Sequence, residues 1–117
     1  MDNEILTRAE VDLFARAMYF VASVDGVDER EVAVIDEFLK DAGYPDMIKD
    51  IDKTVFHPAE VPTVLETTDK RRLLIKVLFV LIKADGVVTD AEKHRIISIA
   101  DTVGLADSLD ELEASIA

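Results

Sequence analysis

The feature that most constrains the fold of this chain is an internal repeat. A shift of 60 positions aligns Thr7 with Thr67, and it aligns the Asp-Gly-Val segment at 25–27 with the same segment at 85–87. Threonine is a favoured residue immediately before a helix, and an Asp-Gly pair favours a turn. Each half is therefore predicted to begin a long helix at a threonine and to end it at an Asp-Gly turn.

The repeat continues beyond the turn. After one inserted residue the shift becomes 61, and Gly43 then aligns with Gly104, each placed where a helix ends in a left-handed residue. We interpret the whole chain as one domain made of two three-helix repeats, at about 7–55 and 67–116, joined by a connector at 56–66. Two copies are too few for an open solenoid, so we expect them to close on each other, with their first helices paired at the centre.

Apolar residues recur at helical spacing throughout, which predicts an all-α fold, a compact bundle of two pseudo-symmetric halves with about six to seven helices. A short third helix is expected to have Ile48, Ile51 and Val55 on one side. The apolar run at 73–82 could be a strand by composition, but its flanking turn signals are too far apart, which favours a helix. Helix starts are predicted from capping boxes. These are Thr7 with Glu10, Asp28 with Glu31, Thr89 with Glu92, and Ser108 with Glu111.

Composition excludes several classes of protein. The 117 residues contain no cysteine, which excludes disulfides, thiolate zinc sites and cysteine nucleophiles. The net charge of −12 argues against binding to nucleic acid or to an anionic membrane surface. No apolar run approaches the roughly 20 residues that span a bilayer, and the acidic start does not resemble a signal peptide. We therefore expect a cytoplasmic protein without membrane insertion.

The acidic excess is concentrated in the first half of the chain. Residues 1–69 carry 17 acidic and 6 basic side chains, a balance of −11, whereas residues 70–117 carry 8 and 7, a balance of −1. The first half is therefore the expected location of a bound cation or of a basic protein partner. Solubility alone is the competing interpretation of the same excess.

The two turns resemble those of a known family. A helix ending in Val-Asp-Gly-Val at 24–27 is followed by Glu31, and one ending in Ala-Asp-Gly-Val at 84–87 is followed by Glu92. Over about residues 5–116, this pattern resembles the TerB-like family, which includes the tellurite-resistance protein TerB and the N-terminal domain of the DjlA co-chaperone. The resemblance implies a soluble, non-enzymatic all-helical protein with a stress-response role through divalent-metal binding at acidic loops. The first loop is one residue shorter than the second, so two equivalent sites do not follow.

Carboxylates around the turns are the candidate metal ligands. They are Asp25, Asp28, Glu31, Asp85, Asp90 and Glu92. Hard cations take oxygen ligands, so calcium or magnesium is favoured. The spacing is not that of an EF-hand, and at most three acids converge at one turn, so water or the other half must complete the coordination. The competing interpretation is structural, because Asp before Gly is common in turns and the other acids can cap helices.

Two functions remain open at this point. The first is a non-enzymatic module that binds a divalent cation in a tellurite-type or other stress response. The alternative is a metal-independent interaction domain whose acidic surface binds a basic partner. An enzyme is not expected, because His57 and His94 are far apart in the sequence and no Ser or Thr has a convincing base partner.

Overall fold

A computed structural model describes residues 6–84 and 86–116, with the side chain of Asp25 excepted. All regular structure in these ranges is helical, which confirms the all-α prediction. The α-helices are α1 (Arg8–Ala22), α2 (Glu29–Ala42), α3 (Val61–Val64), α4 (Thr68–Ile82), α5 (Asp90–Thr102) and α6 (Leu109–Ala114). Short 3-10 helices cover Ser23–Asp25, Pro45–Lys53, Pro58–Glu60 and Ala106–Ser108.

Helices α1 and α4 form the centre of the bundle. They pack against each other, and α1 also contacts α2, α3 and α5, while α4 also contacts α2, α5 and α6. Both central helices are 15 residues long. Helix α1 is buried on most of its circumference. Its buried residues are Glu10, Val11, Leu13, Phe14, Ala15, Ala17, Met18, Val21 and Ala22.

Helix starts follow the predicted caps with one exception. The capping boxes at Thr7 and Thr89 are both formed. Asp28 caps α2 as expected, but its carboxylate accepts from the Arg30 amide at 2.7 Å, and the predicted box with Glu31 is not formed. The cap predicted at Ser108 is wrong, because its side chain makes no capping hydrogen bond. Its backbone, at φ −102° and ψ 3°, lacks the extended conformation that a capping residue adopts.

The third helix of the first half also differs from its prediction. It is a 3-10 helix over Pro45–Lys53 that buries Ile51, but Val55 is 66% exposed. The chain leaves the helix at Thr54 in an extended conformation, so Val55 is not on the apolar side that Ile51 occupies. No described helix is both long and apolar enough to cross a membrane.

Candidate functional site: two acidic turns and an acidic groove

The two turns have related backbones. Gly26 follows α1 with φ 97°, and Gly86 follows α4 with φ 78°. Both values lie in the region that glycine adopts without the steric strain of a side chain. Asp85 lies outside the described residues and the side chain of Asp25 is not described, so the four remaining candidate ligands define the geometry.

These four carboxylates lie at two helix starts. Asp28 is half-buried as the cap of α2, and Glu31 is 2% exposed in the first turn of that helix. Asp90 is exposed as the first residue of α5, and Glu92 is 3% exposed two residues later. Within the described ranges, no three His, Cys, Asp or Glu residues form a group that could hold a metal ion. The structure therefore brings Asp28 near Glu31 and Asp90 near Glu92, without joining the four into one cluster.

Glu92 is a buried carboxylate held by neutral donors. Its Oε1 accepts hydrogen bonds from the backbone N and the Oγ1 of Thr89, both at 3.2 Å. No basic side chain of the described chain pairs with it. The contrast is Glu10, which is 6% exposed and pairs with the Nζ of Lys70 at 2.7 Å. Because a buried charge is unfavourable unless it is paired, Glu92 is the position at this turn where a cation would stabilise the protein most.

A groove of about 460 Å³ lies between the start of α1 and the 3-10 helix that follows α2. Asp12, Asp46 and Asp50 contribute carboxylates to its lining, and the Arg8 guanidinium lies 5.5 Å from the centre of the Tyr44 ring. The side chains of Asp46 and Asp50 are 92% and 79% exposed. We call this surface the acidic groove.

Two of the three carboxylates of the acidic groove, those of Asp46 and Asp50, are exposed, whereas Asp12 pairs with the Nε of Arg16 at 2.9 Å. Asp46 contacts Lys49 at 3.7 Å and Asp50 contacts Lys53 at 3.8 Å, and such exposed pairs contribute little to stability. Sequence reasoning missed the groove because its walls come from distant parts of the chain. The available signal was the pair of acids at 46 and 50, one helical turn apart, after a Gly-Tyr-Pro sequence.

The described residues form an all-α bundle with acidic turns and an acidic groove. No family model, curated protein or solved structure matches this chain. The function is therefore argued from the residues themselves.

Proposed function

We propose that this chain is a non-enzymatic, cytoplasmic TerB-like module that binds a divalent cation at its Asp-Gly turns, with calcium or magnesium favoured, in a tellurite-type or other stress response. Glu92 carries the proposal, because its buried carboxylate has only neutral hydrogen-bond donors. A divalent cation would neutralise that charge, and carboxylate and backbone oxygens are the ligands that hard cations prefer. Asp90 and the neighbouring Asp85 would supply further oxygens at the same turn.

The first half of the chain offers a related but unequal site. Glu31 is buried in the first turn of α2, as Glu92 is in the first turn of α5, and Asp28 precedes it as a cap. The Asp28 carboxylate is already engaged by the Arg30 amide. We therefore expect the turn after α4 to bind the cation more tightly than the turn after α1.

Metal binding is tested by chemical denaturation with and without calcium, magnesium or manganese. A cation at about ten times its dissociation constant is expected to stabilise the wild type by about 1.4 kcal/mol. Glu92→Gln is expected to abolish that gain, because it removes the charge while glutamine preserves the capping box. Without metal, this variant is expected to be at least as stable as the wild type, since a buried unpaired charge has been removed.

Glu10→Gln is the matched control for the metal test. It removes a second buried carboxylate that lies outside the turns, so it is expected to lower stability while the metal-induced gain is kept. The double variant Asp25→Asn with Asp85→Asn is expected to lose the gain. Equal stabilisation by metal in the wild type and in Glu92→Gln would contradict the proposal.

Metal-independent binding of a basic partner is the second candidate function, and the acidic groove is the observation that favours it. Asp46 and Asp50 leave most of their carboxylate surface exposed, and Tyr44 supplies an aromatic side chain beside them. Such a surface is suited to a lysine-rich or arginine-rich segment, because charge complementarity speeds and orients docking.

Binding of a fluorescent oligolysine peptide, followed by anisotropy, tests the acidic groove. Affinity is expected to fall steeply with added salt and to be unaffected by a chelator. Asp46→Lys with Asp50→Lys is expected to weaken binding by about tenfold or more, since two attractions become repulsions. Asp101→Lys with Asp107→Lys is the control, because it changes the net charge by the same amount at exposed residues outside the groove. An equal loss in both double variants would show that net charge, not the groove, binds the peptide.

A further inference from the structure

One face of helix α4 is less buried than the corresponding face of α1. The two helices are the same length and begin 60 positions apart, so their residues correspond one to one. On α1, Leu13 and Ala17 are fully buried. Their counterparts on α4, Leu73 and Val77, are only half-buried, and Val80 on the same side is 46% exposed. We call the surface formed by Leu73, Lys76, Val77 and Val80 the α4 face.

The corresponding face of α1 is covered by residues 54–65, here called the covering segment. Phe56 packs against Phe20, the counterpart of Val80, with 5.2 Å between ring centres. Further along the segment, Val61 and Leu65 are fully buried, and the short helix α3 contacts α1. The first half therefore shows what kind of segment fits a face of this shape.

The basic residue at the centre of each face also differs, because the one on α1 is paired and the one on α4 pairs with no described residue. Arg16 of α1 donates from Nη1 to the Val55 carbonyl at 3.0 Å and to Glu60 at 2.9 Å in the covering segment, and from Nε to Asp12 of its own helix at 2.9 Å. Burial raises the pKa of Glu60, but hydrogen bonds from His57 and Arg16 and their charges outweigh it and lower that pKa overall. The counterpart of Arg16 is Lys76, which makes no hydrogen bond or ion pair with any described residue.

The surroundings of Lys76 leave room for a ligand. An open pocket of about 290 Å³ lies beside it, lined by Asp69, Arg72, Leu73 and Lys76. Arg72, at one side of this pocket, forms an ion pair with Glu111, with 2.9 Å between Nη2 and Oε1. The α4 face is therefore an apolar strip with an unneutralised ammonium group in the middle.

We propose that the α4 face binds a segment of a partner protein that contains apolar and acidic residues at the same spacing as the covering segment. A large apolar side chain of the partner would pack on Val80, as Phe56 packs on Phe20. A glutamate four residues later would pair with Lys76, as Glu60 pairs with Arg16. The inference goes beyond the proposed function and does not depend on it, because no turn carboxylate and no groove residue takes part.

A labelled peptide with the sequence of residues 54–65, TVFHPAEVPTVL, is the probe. Added to the full chain, it is expected to bind saturably and to shift the backbone amide signals of residues 73–80 most. Lys76→Glu and Val80→Asp are each expected to weaken binding by about tenfold or more, because one reverses the central charge and the other places a charge in the apolar contact. Replacing the peptide glutamate by glutamine is also expected to weaken binding, because it removes the charge that would pair with Lys76.

Ile97→Asp is the matched control, since it places the same charge on a helical apolar residue that is 44% exposed and lies outside both the α4 face and the covering segment. It is expected to leave peptide affinity unchanged. Absence of binding to the wild type would overturn the proposal, as would amide shifts centred on Arg16 and Phe20, which would mean that the peptide displaces the covering segment. Self-association of the wild type that Lys76→Glu abolishes would also overturn it, because the occupant would then be a second copy.

Discussion

Replacing Phe14 by alanine is expected to destabilise the fold by about 3–5 kcal/mol. Phe14 is fully buried in the middle of α1, and its ring stacks on Phe38 of α2 with 5.6 Å between ring centres and 7° between ring planes. The change removes a large apolar side chain and leaves a cavity where α1 meets α2. Domains of this kind have about 5–15 kcal/mol of stability in total, so a large share would be lost.

Urea denaturation of the wild type and the variants measures this effect. Phe14→Leu is the control, because it keeps an apolar side chain of similar volume and is expected to lose about 1.5 kcal/mol or less. Phe38→Ala is expected to lose less than Phe14→Ala, since Phe38 keeps part of its surface in water. A loss below about 1 kcal/mol in Phe14→Ala would contradict a tightly packed contact between α1 and α2.

Much of the fold could be predicted because its helix boundaries are set by local chemistry. Thr7 and Thr89 begin helices through contacts with glutamates three residues away, and such contacts depend only on nearby sequence. The prediction at Ser108 failed because the backbone there lacks the extended conformation of a capping residue. Ser108 is the last residue of the 3-10 helix Ala106–Ser108, which leads directly into α6. Its expected partner Glu111 pairs with Arg72 of α4 at 2.9 Å.

The candidate surfaces could be predicted only in part, because they depend on contacts between distant segments. The shift of 60 positions aligns Arg16 with Lys76, but the sequence could not show that Arg16 pairs with Asp12 and with Glu60 of the connector while Lys76 pairs with no described residue. The charge balances of the two halves likewise do not show which charges pair across the halves in the fold. Glu10 counts toward the acidic first half, yet it neutralises Lys70 of the second half, so part of the excess is structural.

The pair formed by Glu10 and Lys70 occupies a special position in the repeat. The two residues are 60 positions apart, and each is the third residue of its central helix. Equivalent residues of two copies contact each other when both lie beside the axis that relates the copies. In the interpretation of the chain as two repeats that close on each other, this pair lies between the equivalent helices α1 and α4.

Replacing Lys70 by methionine is expected to destabilise the fold by about 3 kcal/mol at neutral pH, because it leaves the carboxylate of Glu10 buried without its cation. Burial raises the pKa of Glu10, but the hydrogen bonds from Lys70 and Thr7 and the charge of Lys70 outweigh it and hold the pKa below its ordinary value of 4.5. In the wild type, this pair therefore stabilises the fold above pH 4.5, and the contribution is lost as the pH falls further.

Without Lys70, burial is opposed mainly by the Thr7 contacts, so the pKa of Glu10 is expected to rise. The stability difference between wild type and Lys70→Met is therefore largest at neutral pH. It shrinks as the pH falls from the raised pKa of Glu10 in the variant to its lowered pKa in the wild type, which urea denaturation across that range measures. Lys40→Met removes a lysine from an exposed pair with Asp36 at 2.9 Å and is expected to have no measurable effect. A difference between wild type and Lys70→Met that stays constant with pH would show that lost packing, not the buried charge of Glu10, destabilises the variant.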